Sequence, residues 1–142
     1  VQKSKLTIQE YEKEKYKYQT FVRVGDLNYG NHLAHDKLIT IVHDARVSFL
    51  KAHQLQEINI ENTFSLLVST LSVQYLSQAY LGELLCISIF IDEIKNTYFQ
   101  MKYKISRTKT PIALCATHLV CYNQIKKRPD KIPASLLSVL TP

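Results

Sequence analysis

From Lys15 to Val24 the chain alternates. Tyr16, Tyr18, Thr20, Val22 and Val24 fall on one side, and Lys15, Lys17, Gln19, Phe21 and Arg23 on the other. A period of two is that of a half-buried β-strand. After a loop from Gly25 to His35 the period changes: Leu38, Val42, Ala45 and Phe49 follow helical spacing, and Ile39, Ile41 and Leu50 widen the stripe. The spacing predicts a helix with an apolar arc so broad that other elements must enclose it. The β-branched run Ile39-Thr40-Ile41-Val42 opposes a helix by only a few tenths of a kcal/mol per residue, roughly, which spacing and length outweigh. Asp36 is the expected N-cap, favoured by the positive end of the helix dipole.

Four strand-like runs follow a polar connection from Gln54 to Asn62. Phe64, Leu66 and Val68 alternate in one phase and Leu71, Val73 and Tyr75 in the other, so a β-bulge between Ser69 and Leu71 is expected to keep both sets on the core face. Leu84 to Asp92 is apolar on both faces. Phe99, Met101, Tyr103 and Ile105 alternate with polar residues, and Ile112 to Tyr122 makes the last run. Pro129 and Pro133 punctuate the tail, where Ala134 to Leu140 is expected to form a short helix. The order predicts an α+β domain in which an antiparallel sheet of about five strands wraps around one long central helix. A single domain is expected over residues 1–142, with 1–14 a flexible lead-in and 129–142 a tail.

With 142 residues and 16.4 kDa, one core is the natural expectation. No apolar run approaches the roughly 20 residues that span a bilayer, and Val1-Gln2-Lys3-Ser4-Lys5 lacks the apolar region of a signal peptide, so a cytoplasmic protein without membrane insertion is expected. Cys86, Cys115 and Cys121 are odd in number, lack metal-ligand spacing and lie in apolar runs, where a thiol acts as a small reduced hydrophobe. The net charge of +6 and the pI near 9.2 suit an anionic partner. The basic residues are dispersed, however, apart from the Lys-rich start and Lys126-Lys127-Arg128, and no aromatic-basic motif of a nucleic-acid platform is present, so no nucleic-acid partner is expected. A two-faced apolar strand beside an enclosed helix needs a further covering surface, which points to a homodimer or homotetramer.

Polar chemistry is densest between Gly25 and Asp36, which holds two of the three glycines in front of the apolar helix. Backbone N–H groups in front of a helix polarise an electron-rich group. Gly30, Asn31 and His32 are candidate donors of this kind. Asp26 is a candidate base or an Asx-turn residue, and Asn28 either orients a water or adopts a left-handed loop conformation. Gly30 has the alternative of merely permitting a positive φ. Tyr29 lies within the loop and His35 ends it, while His43 and Asp44 lie farther along the helix, where either is a candidate base or substrate contact. His32, His35 and His43 do not have zinc spacing, so no metal is expected. Arg46 is expected to anchor the helix through a carboxylate or carbonyl.

The element order and the Arg23 to Leu50 segment resemble the hotdog-fold acyl-CoA thioesterases of the 4-hydroxybenzoyl-CoA thioesterase-like family. That family places Asp-x-Asp-x-x-Gly-His-x-Asn between the first strand and the central helix. Asp26 falls on the first Asp, Asn28 on the second, Asn31 on the Gly and His32 on the His, and Asp44-Ala45-Arg46 matches an acidic-Ala-Arg turn. The chain departs from the family at Asn28, where the second Asp commonly serves as base or nucleophile. The resemblance implies hydrolysis of an acyl-CoA thioester. Catalytic residues would come from Asp26, Asn28, Gly30, Asn31, His32 and Asp44, and substrate contacts from Tyr29, His35 and His43. No cofactor is implied beyond the coenzyme A of the substrate. The alternative is a non-catalytic protein that binds acyl-CoA or an acyl-carrier protein, which the Asn28 substitution favours.

Overall fold

Six strands and two helices make up the computed structural model, which describes residues 6–8 and 12–142. Residues 1–5 and 9–11 of the expected lead-in lie outside the described residues. The strands are β1 (Tyr16–Phe21), β2 (Phe64–Tyr75), β3 (Leu84–Asp92), β4 (Tyr98–Arg107), β5 (Thr110–Asn123) and β6 (Arg128–Pro129), and the helices are α1 (His35–Ala52) and α2 (Ala134–Leu140). Pairing is antiparallel throughout, in the order β1-β3-β4-β5-β2, with β6 added to the end of β5. This is the expected hotdog arrangement, with the sheet curled around α1.

Alternation in the sequence becomes layering in the fold. Leu85, Ile87 and Ile89 of β3, Met101, Tyr103 and Ile105 of β4, and Cys115, Leu119 and Cys121 of β5 face α1 and are buried. Against them pack Leu38, Ile41, Val42, Ala45, Phe49 and Leu50 of the helix. Each fully buried side chain of this size contributes about 1.5–3 kcal/mol, so the helix is held by its stripe rather than by its propensity.

Three local expectations change. Val24 does not continue β1: the chain leaves the sheet after the buried Val22 into a single 3-10 turn, Val24–Asp26, which leaves Val24 74% exposed. Asp36 is not the N-cap, because α1 begins at His35 with Ala34 in the cap position and no side-chain cap bond. The bonds Leu33 N to Ala79 O and Ala34 N to Asp26 O hold the entering chain there. The bulge falls at Ser69 as expected, and the register keeps Leu66, Val68, Leu71 and Val73 opposite inward-facing β5 residues. Burial does not follow, since Val68 is 48% and Leu71 43% exposed. The backbone of α1 runs closest to β1 and β3 and covers the β2 edge only in part. Among the described residues no helix is long and apolar enough to cross a membrane.

Candidate active site

The loop between β1 and α1 is organised by two short side chains. Asp26 accepts the Arg23 N–H on Oδ2 at 2.9 Å, closing the 3-10 turn. Asn28 accepts on Oδ1 from Gly30 N at 2.9 Å and His32 N at 3.2 Å, while its carbonyl takes Asn31 N at 3.1 Å. The three N–H groups expected as donors to a substrate are therefore engaged within the loop. Asn31, not Gly30, carries the positive φ, at 60°. The family's Gly stands where this chain has Asn31, and Asn is among the side chains that best tolerate that left-handed conformation. Gly30 meets a different constraint: a Cβ there would lie 3.2 Å from His32 Nδ1 and 3.4 Å from Asn28 Oδ1.

A cavity of about 330 Å³ opens beside this loop. Asn28, His32, His35 and Leu38 form one wall, and the segment from Tyr75 to Ala79 forms the other. The helix start belongs to it. Residues His35, Asp36 and Lys37 carry the first N–H groups of α1, which have no acceptor inside the helix and receive no side-chain cap. The Tyr75 hydroxyl donates to His35 O at 3.0 Å, joining the far wall to the helix start. Uncapped N–H groups and the positive dipole end make this the place in the fold that best accommodates a developing negative oxygen.

The far wall is clamped. Arg107 Nη1 donates to Gln78 O at 2.9 Å and to Glu83 Oε1 at 3.0 Å, and the same carboxylate oxygen accepts Tyr80 N at 2.6 Å. His32 pairs with Tyr80 in an isolated bridge, and their rings meet edge to face at 5.2 Å. A larger bowl of about 550 Å³ lies near Val47, Lys51 and Ile58 at the opposite end of α1. The negative dipole end there disfavours an oxyanion, so size does not decide between the two.

The expected residues thus separate into groups. Asn28, His32 and His35 line the cavity, whereas Asp26, Gly30 and Asn31 build the loop behind it and Tyr29 is fully exposed. Asp44 is exposed on α1 and lines no cavity described here. His43 joins a second cluster: its Nε2 lies 3.1 Å from Glu57 Oε2, and Arg46 Nε donates to Glu57 Oε1 at 2.7 Å. Arg46 anchors the helix as expected, with Nη1 donating to the buried Tyr103 hydroxyl at 3.1 Å, which in turn lies 2.9 Å from Thr117 Oγ1. Burial pushes the Tyr103 phenol up, so it remains a protonated partner. Glu57, Arg107 and the Tyr75 to Ala79 wall carry no signature in the sequence, because each meets its partners through the packing of separate segments rather than at any local spacing.

Residues 22–140 match the model of the thioesterase-like superfamily. The chain belongs to that superfamily. Among solved structures, Slr0204, a 1,4-dihydroxy-2-naphthoyl-CoA thioesterase from Synechocystis, superposes with a TM-score of 0.82 at 21% identity, over 88% of this chain and 94% of that one. The protein SAV2348 from Staphylococcus aureus, solved in complex with CoA, gives 0.82 at 18% identity over 94% and 85%. TT1821 from Thermus thermophilus gives 0.79 at 20% identity over 87% and 95%. These likenesses establish the fold. No curated protein matches the sequence.

Proposed function

We propose that this member of the thioesterase-like superfamily hydrolyses an acyl-CoA thioester, with the thioester carbonyl at the uncapped N-terminus of α1. That helix start, which reaches the cavity of Asn28 and His32 through His35, is the observation that carries the reading. His32 takes a proton from water as the hydroxide oxygen attacks the carbonyl carbon, and the Asn28 side-chain amide orients that water. The tetrahedral oxyanion is stabilised by the N–H groups of His35 to Lys37. The C–S bond then breaks, and the imidazolium returns its proton to the departing thiolate, giving free acid and coenzyme A. Asp26 and Asp44 do not line the cavity, so the base is assigned to His32 in their place. The test is release of coenzyme A, followed by mass spectrometry, across aromatic, short and long acyl-CoA esters. Turnover of at least one class that falls at least tenfold in His32→Ala is expected. Full activity in that variant would remove His32 from the mechanism.

A second reading is favoured by the residues around the cavity: no carboxylate stands among them. A protein that binds acyl-CoA or an acyl-carrier protein without cleaving it needs none. Tight binding of coenzyme A thioethers, together with no turnover of any ester, would select this reading.

A further inference from the structure

Phe21, Val24, Tyr29, Tyr80, Leu81 and Leu84 stand exposed at the end of the molecule that holds the β1–α1 loop. Contacts between their neighbours bring them together. Phe21 and Leu84 pair across β1 and β3. Gly82 N donates to Val22 O at 2.8 Å and Val22 N to Glu83 O at 3.0 Å, while the His32–Tyr80 bridge joins the β2–β3 connection to the loop of Tyr29. Two of the six sit at matching places in tight turns: Asn31 N closes on Asn28 O at 3.1 Å with Tyr29 at the first central position, and Glu83 N closes on Tyr80 O at 3.1 Å with Leu81 there and Gly82 following at φ 80°. A third, Val24, rides the 3-10 turn. Turn tips carry polar residues at no cost to the core, so apolar side chains on three neighbouring tips mark a contact surface. Phe21, Val24 and Leu81 are 55–74% exposed, and Tyr29 is wholly so.

From these observations we infer that this end of the molecule docks on a lipid bilayer with anionic head groups, with Val24, Tyr29 and Leu81 entering the interfacial layer. Shape favours a bilayer over a protein partner. The apolar groups project from separate tips and line neither cavity described above, and a fluid layer receives such tips where a protein would need a matching pocket for each. Tyrosine suits the place, with its ring among acyl chains and its hydroxyl at the head groups. Charge selects the anionic surface. Arg23, beside Val24, and Lys109, in the turn joining β4 to β5, are exposed and form no ion pair among the described residues. The nearby carboxylates are turned to local partners: Asp26 accepts Arg23 N, and Glu83 accepts Arg107 Nη1 and Tyr80 N. The cavity lined by His32 opens beside the same loop, so that under the thioesterase reading an acyl chain would pass from bilayer to cavity with little exposure to water. The docking itself does not depend on that reading.

The chain contains no tryptophan, so a single introduced one reports the contact. Full-length protein is sedimented with vesicles of phosphatidylcholine alone and of phosphatidylcholine mixed with phosphatidylglycerol, and the fluorescence of Leu81→Trp is compared with that of Ile125→Trp, an exposed position beyond the far end of β5. Binding is expected to be at least about tenfold stronger to the anionic vesicles. Leu81→Trp should shift to the blue and be quenched by brominated acyl chains, and Ile125→Trp should do neither. Val24→Asp and Leu81→Asp, each withdrawing one apolar side chain from the layer, should weaken vesicle binding about tenfold or more with Tm unchanged. No binding of the wild type, a blue shift at Ile125→Trp alone, or binding that both Asp variants leave intact overturns the inference. A fall in mass by light scattering in Leu81→Asp, without vesicle binding by the wild type, overturns it too and makes the face a contact between copies of the chain. None of these readouts uses turnover, so failure of the thioesterase reading leaves them decisive.

Discussion

Asn28 organises its loop through one side-chain oxygen that accepts two backbone N–H groups. Asn28→Ala leaves both without that acceptor in an exposed loop where water can reach them, so the loss should fall on loop geometry more than on stability. We expect kcat to drop at least tenfold with little change in Tm, as read by thiol release and thermal melting. Asn28→Asp keeps an acceptor oxygen and adds a carboxylate beside His32, and it should hold or raise the rate. A rate equal to wild type in Asn28→Ala would place the chemistry elsewhere. The cysteines make a contrasting case. Burial pushes the Cys115 and Cys121 thiols up to about 12, so at pH 8 about one in ten thousand is a thiolate. Iodoacetamide should therefore leave both unmodified in the folded protein, reacting with them only after unfolding, and peptide mapping checks this. Cys86 is half-buried on β3 and should be the first to react.

At the scale of elements, α2 hangs on Glu61 from the α1 to β2 connection. Glu61 Oε2 accepts Ser135 N at 3.1 Å and Ser135 Oγ at 2.7 Å, standing in for the side-chain cap that Pro133 lacks. Those two bonds hold the Glu61 carboxyl below its usual 4.5. A lowered folded pKa contributes stability that is present above 4.5 and is lost as pH falls through the folded value. Glu61→Gln should then melt below wild type at pH 7, and the gap should narrow as the pH is taken below 4.5. A gap that stays constant down to pH 3 would show that the carboxylate charge plays no part. Strand β2 carries a different lesson. Its bulge aligns two apolar phases on one face, yet α1 covers them only in part, so Val68, Leu71 and Tyr75 remain 43–50% exposed.

For the molecule as a whole, that partly covered strand is the feature most in need of a partner. Twelve residues long and at the sheet edge, β2 presents unpaired backbone groups together with Leu67, Val68, Leu71 and Tyr75. Long apolar edges of this kind are templates for pairing with a second chain. A homodimer joined along β2 is the expected state, and light scattering should give twice the 16.4 kDa chain mass. Val68→Lys, which sets a charge on that face, should shift the protein towards monomer. A monomeric wild type at micromolar concentration would refute the assembly.

Periodicity alone was enough for the five longer strands, the long helix and the bulge, because side-chain spacing is a local property that burial on one face imposes, whereas the two-residue β6 is too short to show a period. Composition set the expectation of one core, and the loop motif singled out the dozen residues from which the proposed site is drawn. Three matters were decided only by tertiary contact. Whether the N–H groups of Gly30 to His32 were open depended on where the Asn28 side chain turned, and no spacing encodes that. The cavity needed the Tyr75 to Ala79 wall, which Arg107 holds from the end of β4, 24 residues from Glu83 in sequence. The burial of Arg46 against Glu57 and Tyr103, 11 and 57 residues away, arose because the helix and sheet close on each other there. Local patterns set which face each side chain takes, and only the packing of distant segments sets which polar atoms are left over for chemistry.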